Sequence, residues 1–212
     1  MNTANKGMSA IAFVLNVLLT VLFFPALTLL LAGNWRWVEG WLFALWFVVM
    51  IDFSLIYLYW KDPALLAERT QAPGSANQKA WDKLLMSAIL IVAIFWLVVM
   101  PLDAGRFQWS PTFPLWLKIV GAIALFPALY LIERTVIENT YLSAMVRTQS
   151  ERKQQVVTTG VYGFVRHPLY LGVTLMLFGA PLLVGSVCGF ILSTISLLLL
   201  VIRIGGEEQM LV

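Results

Sequence analysis

Long apolar runs constrain the fold of this chain more than any other feature of its sequence. Four of them cover Ile11–Leu31, Val38–Trp60, Leu84–Met100 and Leu115–Ile132, and a fifth extends from Leu169 to Ile204. Runs of about 18 or more apolar residues are long enough to cross a membrane as helices. The chain is 60% hydrophobic and 12% charged, whereas soluble domains carry about 25% charged residues. We therefore predict an all-α integral membrane protein rather than a soluble helical domain.

The fifth run is too long for a single membrane helix. One helix over it would extend about 54 Å, against a hydrocarbon core of about 30 Å. Gly179, Pro181 and Gly185 lie near its middle, where these residue types favour a break. We predict a tight hairpin of two short helices, Pro168–Pro181 and Val187–Ile204. The chain then has about six transmembrane helices.

The distribution of lysine and arginine predicts the orientation. On a six-helix topology, eleven of the 14 basic residues share the side of the N-terminus. The three on the other side are Arg36, Arg106 and Lys118. Cytoplasmic loops carry the excess of basic residues in membrane proteins. We therefore expect both termini and the 61–83 and 133–167 segments to be cytoplasmic, in a bacterial inner membrane or an endomembrane.

A polar stretch from Glu133 to His167 separates two parts of the chain. We predict an N-terminal four-helix transmembrane region over residues 1–132 and a C-terminal region over residues 133–212 that carries the chemistry. So long a connection between two membrane helices indicates function or disorder. Apolar residues within it, such as Val161 and Phe164, disfavour disorder. We expect an ordered segment at the cytoplasmic face.

Polar side chains from distant positions are predicted to meet at that face. Pro168 suits the first turn of a helix, whose free N–H groups and dipole attract anions. Arg166 and His167 precede it, and the hairpin returns Arg203 and Glu207 to the same side of the membrane. Such a convergence of Arg, His and Glu is typical of a functional site.

The supply of metal ligands is small. The chain has one cysteine, Cys188, and one histidine, His167. Structural zinc and haem sites need several such ligands or a dedicated axial residue. We predict no metal site and no intramolecular disulfide.

One motif in the C-terminal region resembles the isoprenylcysteine carboxyl methyltransferase family. It reads Thr-Thr-Gly-Val-Tyr-Gly-Phe-Val-Arg-His-Pro-Leu-Tyr-Leu-Gly over residues 158–172, and Arg203 and the pair Glu207-Glu208 follow after the hairpin. The wider group includes phospholipid N-methyltransferases, and the resemblance covers about residues 133–212. It implies S-adenosylmethionine as methyl donor and a lipophilic or prenylated acceptor reached from the membrane lipid, with no nucleic acid as partner.

The resemblance also implies roles for individual residues. Arg203 would bind the methyl acceptor, and Arg203 and Glu207 would be the catalytic residues. Gln154 stands where eukaryotic members often have histidine. The donor-binding residues carried over by motif position are Gln149, Gln154, Gln155, Val156, Val157, Tyr162, His167, Pro168, Leu169, Tyr170 and Glu207.

The residues by themselves do not identify the methyl acceptor. A carboxylate has an unperturbed pKa of about 4 and needs no general base, and Arg203 could hold it bidentately. An amine arrives protonated and requires an acid/base residue such as Glu207, Glu208 or His167. We expect carboxyl O-methylation of an isoprenylcysteine-like substrate.

Three alternatives remain beside that expectation. They are N-methylation of a phosphatidylethanolamine-type phospholipid, a sterol-reductase-like NADPH-dependent membrane reductase, and a non-enzymatic membrane protein. Transporters commonly show repeated halves, and this sequence has no internal repeat. That absence disfavours the non-enzymatic alternative.

Overall fold

Helices form all the regular structure in the described part of the protein. The computed structural model describes residues 8–70, 78–142 and 157–210. The α-helices are α1 (Ala10–Ala32), α2 (Val38–Lys61), α3 (Pro63–Arg69), α4 (Ala80–Met100), α5 (Leu115–Glu138), α6 (Pro168–Val184) and α7 (Val187–Met210). A π-helical segment, Pro101–Phe107, continues α4, and a 3₁₀ turn, Gly160–Gly163, precedes α6.

Five of these helical segments are long and apolar enough to cross a membrane. They are α1, α2, α4 with its π-helical continuation, α5 and α7. The remaining apolar helix, α6, has 17 residues, which corresponds to about 26 Å at 1.5 Å per residue. The prediction of an all-α integral membrane protein is confirmed.

Contacts between helix ends define two ends of the bundle. At one, which we call the polar end, the starts of α4 and α6 meet the end of α7 through Asp82–Arg203 and Tyr170–Glu207. At the other, which we call the opposite end, the starts of α2 and α5 meet through a 2.5 Å Glu39–Lys118 ion pair. The candidate site lies at the polar end.

Aromatic side chains fill the middle of the bundle. Phe43 and Phe47 of α2 pack against Phe24 of α1 and Trp96 of α4, with ring centroids 5.0–6.1 Å apart. The Trp96 indole N–H also donates a 2.8 Å hydrogen bond to Ser193 Oγ on α7. This bond satisfies the one polar atom of a buried tryptophan and ties α4 to α7.

The predicted hairpin is formed by α6 and α7. Gly185 ends α6 with φ 82°, and the N–H groups of Gly185 and Ser186 both donate to Pro181 O at 2.9 Å. These bonds satisfy a terminal carbonyl, as left-handed glycine caps do. The helix runs past Pro181, its predicted end, to Val184. Proline lacks only its own N–H, and its carbonyl still serves the cap.

Close packing of α5 on α6 positions the hairpin. A Cβ at Gly121 would lie 2.4 Å from Leu183 N and 2.6 Å from Gly179 O. The two backbones therefore meet directly, as small residues allow in membrane helix pairs. The sequence places α5 with the N-terminal region, and the division at residues 132 and 133 stays a prediction.

The helices that carry the site extend beyond their predicted limits. α4 begins at Ala80 instead of Leu84, and α7 continues past Ile204 to Met210. Two consecutive glycines do not end α7, because Gly206 packs against the Trp81 ring, where a Cβ would approach to 2.5 Å. Both extensions add polar residues to helices that the sequence analysis ended at the apolar boundary.

Candidate functional site

A buried ion pair joins α4 to α7 at the polar end. Arg203 Nε lies 3.2 Å from Asp82 Oδ1, and the Asp82 side chain is fully buried. Asp82 Oδ2 accepts a 2.9 Å hydrogen bond from Gln78 Nε2. A buried charge needs such partners, because an unpaired one costs several kcal/mol. The pair therefore fixes Arg203 at a defined place beneath the surface.

Glu207 lies between Arg203 and the start of α6. It follows Arg203 by one helical turn, and its Oε1 lies 3.7 Å from Arg203 Nε. The same oxygen accepts a 2.5 Å hydrogen bond from the Tyr170 hydroxyl. The phenol and the guanidinium thus hold one carboxylate from two helices. The two residues that the resemblance made catalytic, Arg203 and Glu207, lie side by side.

The neighbouring Glu208 faces a different set of groups. Its Oε1 lies 3.2 Å from His167 Nε2 and 3.4 Å from Arg166 Nη1. Arg166 is largely exposed, and His167 is more deeply placed. Successive residues of a helix point about 100° apart, so the paired glutamates serve separate clusters. Glu207 faces the interior, and Glu208 faces the polar segment before α6.

The start of α6 offers free backbone donors. Pro168 occupies its first turn, and within the described ranges the preceding His167 makes no side-chain capping hydrogen bond. The first N–H groups of a helix have no partner within the helix. Pro168 is buried and Leu169 half-buried. This helix start can therefore accept an anionic group, as the sequence analysis expected.

Tyr162 extends the site toward α5. Its hydroxyl accepts a 2.8 Å hydrogen bond from Asn139 Nδ2, and the Val161 N–H donates to Glu138 Oε2 at 2.7 Å. Burial raises the pKa of the Tyr162 hydroxyl above its ordinary value, and the charges of Glu138 and Glu207 raise it further. Tyr162 is thus a neutral hydrogen-bonding group within the electrostatic reach of Glu207.

A cavity of about 270 Å³ lies beside the 3₁₀ turn Gly160–Gly163. Arg134 and Glu138, an ion pair one turn apart on α5, form part of its wall. Exposed aromatic residues, Tyr130 and Phe164, form another part. The cavity therefore combines an apolar rim with a charged pair, which is suitable for an amphipathic molecule at the membrane surface.

Some predicted site residues are not part of this geometry. Gln149, Gln154, Gln155 and Val156 lie outside the described residues. Val157 is half-buried at the beginning of the last described range, and no hydrogen bond between described residues joins it to the site. The structure brings His167, Tyr170, Arg203 and Glu207 together at the end of α7, with Pro168 and Leu169 between the first two. Tyr162 contacts Asn139 and lies within the electrostatic reach of Glu207.

The sequence analysis missed Asp82. A signal was present, because an acidic residue at the beginning of an apolar run suggests a function, and an acid is favoured in the first helical turn. The predicted start at Leu84 left Asp82 in a surface loop. Only the longer α4 places it inside the bundle, against Arg203.

The charges of the assembled groups are complementary to those of an S-adenosylmethionine-type donor. Such a donor carries a sulfonium cation, an amino group and a carboxylate. Glu207 offers a carboxylate for the positive groups, and the start of α6 offers N–H groups for the negative one. The tyrosine rings add flat surfaces and hydroxyl groups. Arg203 adds a guanidinium whose Nε lies beside Asp82.

One protein-family model matches part of the chain. The sequence model described as phospholipid methyltransferase matches residues 116–212, a little under half of the chain. The match begins at α5 and includes the motif before α6, the hairpin and the end of α7. No curated protein and no solved structure matches the chain.

Proposed function

We propose that this chain is an S-adenosylmethionine-dependent methyltransferase for a lipophilic carboxylate, starting from the match of residues 116–212 to the phospholipid methyltransferase model. The acceptor would be isoprenylcysteine-like, so that the reaction forms a carboxyl methyl ester. One observation supports this proposal most. Arg203, Glu207 and Tyr170 converge from α6 and α7 at the polar end, where an acceptor can arrive sideways from the lipid.

Glu207, Tyr170, Tyr162 and the N–H groups at the start of α6 would hold the donor. When bound, S-adenosylmethionine supplies a methyl group that is already activated by its sulfonium charge. The protein then needs mainly to align donor and acceptor. Glu207 is suited to this task because its position is fixed by Tyr170 at 2.5 Å and lies 3.7 Å from Arg203.

Arg203 would hold the acceptor. Its guanidinium is a planar fork that matches a carboxylate. The acceptor carboxylate is ionised at neutral pH, so no residue has to remove a proton from it. This favours an acceptor that arrives as an anion over one that must first lose a proton.

Phospholipid N-methylation is the second candidate, and the family match favours it. A protonated amine must lose a proton before it can accept a methyl group. His167 and Glu208, 3.2 Å apart and partly open to solvent, could take that proton. In this reaction Arg203 would bind the phosphate of the lipid.

A direct test uses the full-length protein in lipid nanodiscs. We expect saturable binding of S-adenosylmethionine and of its demethylated product by calorimetry. Methyl transfer would then be measured with a prenylcysteine analogue and, separately, with phosphatidylethanolamine. Transfer to the prenylcysteine carboxylate alone would support the proposal. Transfer to the lipid amine alone would replace it by the second candidate.

Matched variants localise the binding. Glu207→Gln should weaken donor binding, whereas Glu39→Gln, which removes a paired glutamate at the opposite end, should leave it unchanged. A well-folded wild-type protein that binds neither donor nor product would refute the proposed function. Equal losses in both variants would place the donor away from Glu207.

A further inference from the structure

We propose that Asp82 is a positioning residue that orients Arg203 for the acceptor, an inference that rests on the proposed function. Asp82 lies on α4, outside residues 116–212 that match the family. It would act through Arg203 and would not touch the substrate. The N-terminal region would then supply part of the transfer machinery.

The contact geometry determines the orientation of the guanidinium. Asp82 Oδ1 accepts from Arg203 Nε at 3.2 Å, and Nε lies on one edge of the planar group. A bond at that edge fixes the plane and thereby the direction of the two terminal nitrogens. Gln78 holds the second carboxylate oxygen at 2.9 Å, so the carboxylate itself cannot rotate freely.

Asp82 also keeps Arg203 and Glu207 in separate roles. Glu207 Oε1 lies 3.7 Å from the same Nε, which is longer than the contact with Asp82. Without the Asp82 charge, the guanidinium would turn to Glu207, because a buried cation seeks the nearest anion.

The surrounding backbone makes this arrangement rigid. The ring of Trp81, the residue before Asp82, packs against Gly206, where a Cβ would approach it to 2.5 Å. Gly206 lies on α7 between Arg203 and Glu207. The relative position of α4 and α7 is therefore fixed within one helical turn of the ion pair.

A second buried aspartate, Asp103, is the matched control for Asp82, because we assign it a purely structural role. Asp103 is also fully buried and lies in the π-helical continuation of α4, at the opposite end. It accepts hydrogen bonds from Ser110 and Ser186 hydroxyls at 2.7 and 2.6 Å. Asp103→Asn should destabilise the protein without any specific effect on transfer.

The experiment compares wild type, Asp82→Asn, Asp82→Glu and Asp103→Asn as full-length proteins in nanodiscs. Donor binding, melting temperature and methyl-transfer kinetics are measured for each. We expect Asp82→Asn to lower kcat/KM about 10²-fold, mainly through acceptor KM, because small misplacements of a binding group have effects of that size. Asp82→Glu keeps the charge and should recover about tenfold of that loss. Asp103→Asn should keep kcat/KM within about threefold.

A double variant separates positioning from stability. In an Arg203→Gln background, Asp82→Asn should cause no further loss of kcat/KM, because residues that act as a unit are non-additive. Additive losses would overturn the proposal, as would an Asp82→Asn protein with wild-type kinetics.

Two further outcomes remain distinguishable. If Asp82→Asn does not fold, Asp82→Glu carries the test, and wild-type acceptor KM in that variant would overturn the proposal. Absence of donor binding in wild type would refute the proposed function together with this inference. Normal donor binding with unaffected Asp82 variants would refute the inference alone.

Discussion

Asp82 and Asp103 are both fully buried, near the two ends of one membrane-crossing segment, and their surroundings differ. Asp103 accepts hydrogen bonds from Ser110, Ser186 and the Cys188 N–H. These donors are all neutral and join the hairpin turn to the loop after α4. Asp82 instead contacts Arg203, which adjoins a second carboxylate.

The same residue type therefore has a charged partner at one end of the segment and only neutral donors at the other. At the opposite end, neutral donors satisfy the Asp103 carboxylate and thereby connect the hairpin turn to the loop after α4. At the polar end, the carboxylate balances a cation whose fork is suited to binding anions. Buried ion pairs contribute little net stability compared with apolar packing. The ion pair at the polar end is the contact through which we propose that Asp82 orients Arg203.

The largest expected effect comes from replacing the Arg203 guanidinium by a group of the same charge and different shape. Arg203→Lys can still pair with Asp82 but cannot present two parallel N–H groups. We expect kcat/KM for the methyl acceptor to fall about 10²-fold or more, with donor affinity nearly unchanged. Steady-state kinetics and calorimetry check this. An unaltered acceptor KM would show that Arg203 does not bind the acceptor. Asp82 would then have no proposed function that distinguishes it from Asp103.

The next effect concerns the donor. Glu207→Gln keeps the side-chain shape and a hydrogen bond with Tyr170 but removes the negative charge. Hydrogen bonds that involve a charged group contribute about 1.5–3 kcal/mol, so donor Kd should rise about ten- to a hundredfold. Glu208→Gln, the adjacent glutamate, is the matched comparison and should change donor affinity much less. Equal effects would show that the two glutamates do not have separate roles.

A third change tests the structural role of Asp103 at the opposite end. Asp103 Oδ2 accepts from the Ser110 and Ser186 hydroxyls and Oδ1 accepts from the Ser110 N–H, whereas the asparagine of Asp103→Asn has only one side-chain oxygen. Loss of a buried hydrogen bond to a charged group should lower the free energy of unfolding by about 2 kcal/mol. Thermal unfolding in nanodiscs measures this. A selective loss of methyl transfer at unchanged stability would contradict the assignment of Asp103 to structure.

The smallest effect is expected at Tyr162. Burial and the charges of Glu138 and Glu207 raise the pKa of its hydroxyl, so the phenol remains protonated at neutral pH. Tyr162→Phe removes one neutral hydrogen bond, with Asn139, and should weaken donor binding about fivefold. The wild-type donor affinity should not change between pH 6 and pH 9 through this group, because the raised pKa lies above that window. A change in donor affinity between pH 6 and pH 9 that is absent from Tyr162→Phe would contradict the raised pKa of Tyr162.

Much of the architecture could be predicted from residue order. The lengths of the apolar runs determined the membrane class, and the glycine and proline residues near Gly185 located the hairpin turn. Pro168 marked the start of α6. The motif that contains His167 and Tyr170, with Arg203 and Glu207 beyond the hairpin, pointed to the candidate site. These features depend on segment length and local chemistry, which a sequence displays directly.

Only the tertiary structure decided the pairings. It placed Glu207 against Tyr170 and Glu208 against His167, although the two glutamates are adjacent in sequence. It also brought Asp82 to Arg203 across 121 positions of the chain. Such contacts depend on the rotation and relative height of packed helices. Close approaches such as Trp81 on Gly206 set these quantities, and hydropathy along one helix carries no information about its neighbour's register.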